Sequence, residues 1–403
     1  MDTYAWDPTT QAMTPPQWQA AVALAGIPTV AWHHGESAQQ AWGFGVAAQR
    51  VGASIPEAGG LILALVRSPG VERDGLRAPG PWFGGLAFPG GLGSPAWQGF
   101  APVRFVLPRL LLWRVGDQCF QTRFAAPEQH ANPQVEVAAV PPITGVIQDR
   151  AHWDALVSRA TLEIAHDGLQ KVVAARAITV TASHAWDVQS VVTHLLERWP
   201  TTRVFAVQGT HGSTVVGATP ETLLRLHGNI LEVDALAGSA APDGVFGPKE
   251  RAEHRHVVDG IVAALTPHCV TVNAAPQPGE RVLPNIRHLH TPVRATFRGV
   301  DNLPAALSSL FPTAAVAGTP RGAALDFLAR HEDLDRGWYA GAVGTAGGGE
   351  AHLCVTLRCA LLQHNTARLF VGAGLVSGST PQAEWDETAH KARPMLNALG
   401  VTP

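Results

Sequence analysis

Apolar residues recur at spacings of three and four through residues 149–170, where Trp153, Leu156, Val157, Ala160 and Ile164 predict one face of a helix. KVVAARAITVTA at 171–182 is an almost unbroken apolar run and predicts a strand. Further strands are predicted at 203–209, at 222–236 folded about HGN, at 290–297, at 352–362 and at 367–374. Connections as short as HGN and QHNT imply antiparallel neighbours. The helical pattern returns at 248–265, 321–330 and 381–399. Earlier in the chain the pattern is choppier, with apolar stretches at 61–66 and 107–113 on either side of GPWFGGLAFPGG. The Pro-, Ala- and Val-rich stretch 127–142 reads as a linker or subdomain seam. These elements predict an α+β body: large, mostly antiparallel β-sheets flanked by helices.

Composition narrows this picture. Of 403 residues, 41 are Gly and 31 Pro, which argues against long uninterrupted helices; 46% are hydrophobic and 15% charged, which excludes a disordered chain. A net charge of −3 provides no global field for a polyanion, so nucleic acid is not an expected partner. The N-terminus has no apolar h-region, and 303–320, broken by Pro and Ser, is no membrane span. A cytoplasmic protein is expected. Cys119, Cys269, Cys354 and Cys359 form no CxxC, and the last two, five apart, would lie on opposite faces of a single strand; neither disulfides nor structural zinc is expected.

Candidate chemistry sits where charge interrupts an apolar stripe. In 248–265, the face carrying Val257, Ile261 and Ala264 runs back to Glu253 and Glu250. In 381–399, Glu384, Glu387 and Lys391 head the side that continues to Met395 and Leu399. Each is a solvated helix end or one half of a hard-cation site, for which carboxylates on two helices would suit Mg²⁺. Lys171 opens an apolar strand, and Glu221 follows the turn GATP; desolvation would turn such a pair into a base and an acid near neutral pH. VGAG at 371–374 is a strand-end turn or an approach for a carboxylate. GFGVAA at 43–48 reads as a turn entering a helix rather than a nucleotide loop, and His33, His34, His288 and His290 read as structural histidines.

In chain order, WFGGLAF, KVVAAR, VGATPETLL, LAGSA, KERAEH, RHLHT, LFPTAAVAGTPRGAA, RGWYAGAVG, CVTLRCA and FVGAGLVSGSTPQAEWDETAHK resemble segments of the chorismate-utilising (anthranilate synthase component I-like) enzymes. That family comprises isochorismate, salicylate, anthranilate and aminodeoxychorismate synthases. The likeness is dense over 145–400, the expected chorismate-binding catalytic region, and loose over 1–140, a divergent N-terminal part of the same fold. It implies stacked sheets with the active site between layers.

The resemblance also implies roles. Family members that add ammonia usually have Gln at the position of Lys171, whereas those that add water have Lys. Ala237 occupies the position of the nucleophilic Lys of aminodeoxychorismate synthases, and Ala315 that of a Thr typical of salicylate synthases. By this likeness the protein is an isochorismate synthase of the menaquinone type; the alternatives are a salicylate synthase and a non-catalytic chorismate-binding protein. Lys171 would be the base and Glu221 the acid. Glu253 and Glu387 would hold Mg²⁺, with Glu250 and Glu384 around its water. Ala218, Thr219, His288, Ala315, Tyr339, Leu357, Arg358, Gly372, Ala373 and Lys391 would surround the substrate. No glutamine amidotransferase subunit is expected, and the protein would be a monomer or homodimer. Phe311 stands where many members have His, an expected change behind the residues that touch substrate.

Overall fold

The structure, a computed structural model, describes residues 8–34, 38–124, 140–166, 168–241, 243–284 and 286–401. The linker expected at 127–142 falls largely outside them. A twelve-stranded and a ten-stranded sheet are stacked, with their strands paired antiparallel. The predicted α+β architecture is therefore the observed one. Strands from the first third enter both sheets: Gln39–Phe44 and Leu110–Val115 in the larger, Trp82–Leu86 and Val103–Leu107 in the smaller.

Side-chain alternation along the larger sheet divides the core in two. Phe205, Val207 and Val215 face the space between the sheets, where they join Phe105, Leu224 and Leu353. Val204, Ala206, Val216 and Ala218 face outward beneath the helices Pro15–Leu24, Val188–Arg198 and Pro381–Ala398. The strand Lys171–Ala182 is buried on both faces over its first six residues, which explains its unbroken apolar run. Asp149 caps the helix Arg150–Ala165 by accepting the His152 N–H, and Trp153, Leu156, Val157 and Ala160 are its buried face. No helix among the described residues is long and apolar enough to cross a membrane.

Two expectations are corrected. The stretch 352–362 is not one strand. Glu350–Val355 belongs to the smaller sheet and Cys359–Gln363 to the larger, and the chain crosses between them at Thr356–Arg358, with Arg358 at φ +49°. Apolar alternation continues through the crossing, so hydrophobic period alone gives no sign of it. Cys354 and Cys359, both buried thiols, consequently lie in different sheets rather than on one strand. GFGVAA does not enter a helix either: Gly45 takes φ +64° and leads into the strand Ala48–Gly52.

Candidate active site

A second chain crosses between the sheets beside the first. Thr214–Thr219 lies in the larger sheet, Thr222–His227 in the smaller, and Pro220–Glu221 bridges them. The two crossovers are tied together: Val355 N–H donates to the Glu221 carbonyl (3.0 Å), Ala218 N–H to the Arg358 carbonyl (3.2 Å), and the Thr219 hydroxyl to the Val355 carbonyl (2.7 Å). Glu221 and Arg358 thereby reach one cavity between the layers, lined also by Glu253, His288, Tyr339 and Lys391. It offers ≈ 50 Å³ to water-sized molecules, room for a few waters.

Around this cavity charge is concentrated and buried. Lys171 is fully buried, and its Nζ lies 3.2 Å from Glu253 Oε1. Glu253 lines the cavity and Lys171 stands behind it. Glu221 is also buried; desolvation, then the negative charge of Asp234, push its carboxyl up to about 8 against the pull of Lys171, Arg358 and Lys391. At neutral pH it is a protonated acid. The neighbouring His254 donates from Nδ1 to the Ala237 carbonyl (3.2 Å) and accepts the Thr291 hydroxyl at Nε2 (2.8 Å); burial first, then nearby cations, lower it to about 4. That neutral imidazole pins the helix Pro248–Leu265 to the strands beneath Glu253.

A further chain of hydrogen bonds runs from Arg358 to the last helix. Arg358 Nη2 can only donate, so His288 Nε2 accepts (3.0 Å) and its Nδ1–H is left to donate to Ser239 Oγ (3.1 Å). Burial and then the Arg358 charge hold this histidine well below its ordinary value, consistent with a neutral ring. Ser239 in turn hydrogen-bonds Glu387. Glu387 pairs with Lys391 (2.5 Å), which also donates to the Gly372 carbonyl (3.1 Å); these cations keep its carboxylate low in pKa despite burial. Glu384 pairs with Lys249 (2.5 Å), and burial, then Glu387, raises its pKa. Against its burial, Glu384, Glu387 and Glu253 all raise the pKa of Lys249, so the three carboxylates lie within electrostatic reach of one ammonium.

Not every expected residue meets the cavity. Ala315, Leu357 and Gly372 line it, whereas Ala218 packs outward beneath the helices, Ala373 is buried in the core between the sheets, and Thr219 uses its hydroxyl to join the crossovers. Glu250 caps its own helix by accepting the Gly247 N–H (2.8 Å). Phe311 is buried in the core and does not line the cavity. Among the described residues no three His, Cys, Asp or Glu groups close into a metal cage. The donor set nevertheless fits Mg²⁺, which takes one or two carboxylates and keeps several waters: Glu253 and Glu387 each commit Oε1 to a lysine and carry a second oxygen. Residues that sequence reasoning passed over are Ser239, Lys249 and the buried pair Glu332–Arg336. Arg336 joins the Val173 and Val316 carbonyls, and Glu332 accepts the Ala175 N–H. Lys249 is one of several charges in PKERAEHRH, so the sequence carries no signal that singles it out.

A family described as chorismate binding enzyme matches residues 71–400. The chain belongs to this family. It is 31% identical to the salicylate biosynthesis isochorismate synthase of Pseudomonas aeruginosa, over 93% of this chain and 85% of that one. To isochorismate synthase MenF of Bacillus subtilis it is 30% identical, over 79% of this chain and 74% of the other. The solved structure of MenF, the menaquinone-specific isochorismate synthase from Escherichia coli, superposes with a TM-score of 0.80 at 24% identity, covering 98% of this chain and 95% of that one, and so has the same fold.

Proposed function

We propose that this protein is an isochorismate synthase, adding water at C2 of chorismate and expelling the C4 hydroxyl, in the cytoplasm and in the service of menaquinone formation. One observation carries the reading: Glu221 faces the cavity as a buried, protonated carboxylic acid beside Arg358. A hydroxyl leaves as water only if something protonates it, and a buried carboxyl near neutral pKa is suited to do so. The names of the relatives point the same way.

Each residue then has a task. With Glu253 turned from Lys171 toward the cation, Lys171 takes the proton of the attacking water, and Glu221 supplies one to the departing hydroxyl, so that protons and oxygen balance and nothing is oxidised. Arg358 and Lys391 meet the substrate's carboxylates, Arg358 with its planar fork. Tyr339 stacks on Phe370 at 5.4 Å and forms a wall of the cavity. Glu253 and Glu387 would hold Mg²⁺, with Glu384 nearby, and the ion would supply neutralising charge for the ring carboxylate. Glu253 also holds Lys171, so the two assignments share one carboxylate. Since a ring bearing two carboxylates exceeds the present cavity, lining side chains must withdraw as it enters. The reaction uses no ammonia, hence no glutamine amidotransferase subunit; a monomer or homodimer suffices.

Product identification after incubation with chorismate and Mg²⁺ tests this. Isochorismate is the expected product. Salicylate with pyruvate would make the protein a salicylate synthase, and unchanged chorismate would leave only a binding protein.

A further inference from the structure

Asp234, on the strand Ile230–Ala240, does not line the cavity, yet its carboxylate is directed at the crossover that carries the acid. Its Oδ2 accepts the Thr222 N–H at 3.1 Å, one residue beyond Glu221, and Arg281 Nη2 lies 3.7 Å from the same oxygen. His290 Nε2–H donates to Oδ1 at 2.8 Å. The side chain is only 13% exposed. A buried carboxylate with three donors around it stays ionised: although burial opposes this, the His290 hydrogen bond, the Arg281 charge and the Thr222 N–H hold it below its ordinary value.

We propose that Asp234 is a positioning residue of the reaction, fixing the backbone next to Glu221 and holding a negative charge beside it, so that Glu221 keeps its proton until the departing hydroxyl takes it. The inference rests on the assignment of Glu221 as proton donor made above.

The charged groups facing Glu221 show why such a residue is needed. Lys171 on its strand, Arg358 on the Thr356–Arg358 crossover and Lys391 on the last helix all favour the ionised carboxylate. Cys354, on the neighbouring strand, is a buried thiol whose own pKa rises to about 12, so it stays neutral. Asp234 is the anion among these neighbours that works with burial to keep the proton on. The cations that bind a dianionic substrate would otherwise ionise the acid they surround. Asp234 is itself paired with His290 and Arg281, which hold its carboxylate in place.

Asp234→Asn retains an oxygen for the Thr222 N–H while removing the charge. The pH dependence of kcat should lose its alkaline limb earlier, by on the order of one pH unit, the usual scale of such shifts in folded proteins. Arg281→Gln, which strips a compensating cation, should move the limb the other way. In parallel, the infrared band of the protonated Glu221 carboxyl, identified by its loss in Glu221→Gln, should titrate at lower pH in Asp234→Asn than in the unaltered protein. A carboxyl titration that does not move, or moves upward, in Asp234→Asn overturns the proposal; should that variant fail to fold, an unmoved or lowered titration in Arg281→Gln does so. Absence of isochorismate from the unaltered protein would overturn the functional reading instead, while the infrared titration still decides on Asp234.

Discussion

Lys171 Nζ and Glu253 Oε1 lie 3.2 Å apart, joining the first residue of an interior strand to the inward face of a helix. The lysine is fully buried, with the carboxylate between it and the cavity. Lys171→Ala should cost about 10²- to 10⁴-fold in kcat, the range for removing a general base, and leave chorismate binding largely intact. Near-normal turnover, measured by product formation, would remove the mechanism.

The room for this pair depends on Gly374. A Cβ built there would overlap Glu253 Oε1 and come within 3.0 Å of Lys171 Cε. Gly374→Ala should therefore depress turnover strongly while circular dichroism and the unfolding midpoint change little. Full activity in that variant would show that the spacing of the pair is not needed.

Glu387 is assigned to the cation and Lys391 to the substrate, though they now bind each other at 2.5 Å. Glu387→Gln should raise the Mg²⁺ concentration giving half-maximal rate, or abolish turnover. An unchanged magnesium titration would contradict the assignment.

Burial of Glu221 should be visible in stability. Its folded value of about 8 exceeds the ordinary 4.5, so between those limits the folded protein holds a proton that the unfolded chain has released. Its contribution is fully present below 4.5 and is lost as pH rises through about 8. Glu221→Gln cannot ionise, so its stability relative to the unaltered protein should increase across that window in denaturant titrations, even as activity disappears. A constant difference across the window would mean that the carboxyl is not proton-retaining.

Arg336 and Glu332 are almost wholly buried, and together they clamp the strand bearing Val173 and Ala175 to the Val316 loop beside the cavity. Arg336→Met leaves Glu332 as an unpaired buried charge and should cost about 3–5 kcal/mol in chemical unfolding. Arg336→Met with Glu332→Gln should cost clearly less. Equal losses would place the effect in packing rather than in the charge.

Much of this was legible along the chain. The helix at 150–165 and the strand at 171–182 follow from local period, because residues that pack on one layer repeat at the spacing of their own element. Glu253, Glu384 and Lys391 stood out as charges on inward stripes, and the structure buries or half-buries each of them. The crossover at Thr356–Arg358 was not legible: Cys354 and Cys359 look like positions on one strand, since both sheets ask for the same apolar alternation. Nor could period reveal that Ala218 turns outward while Glu221, three residues on, turns in. Ser239 and Asp234 matter through partners 49 and 12 residues away, at His288 and Thr222, distances at which sequence spacing is silent.

Local pattern and motifs in order were enough for most of the elements, the antiparallel α+β body, the family, and the small set of charges available for chemistry. Tertiary structure decided which charges meet. Two chains pass from one sheet to the other side by side, and that crossing delivers Glu221 and Arg358 to the same cavity as Glu253 and Lys391. It also decided their protonation, because the state of Glu221 follows from burial and from the sum of the charges around it, and that sum exists only once the strands are stacked.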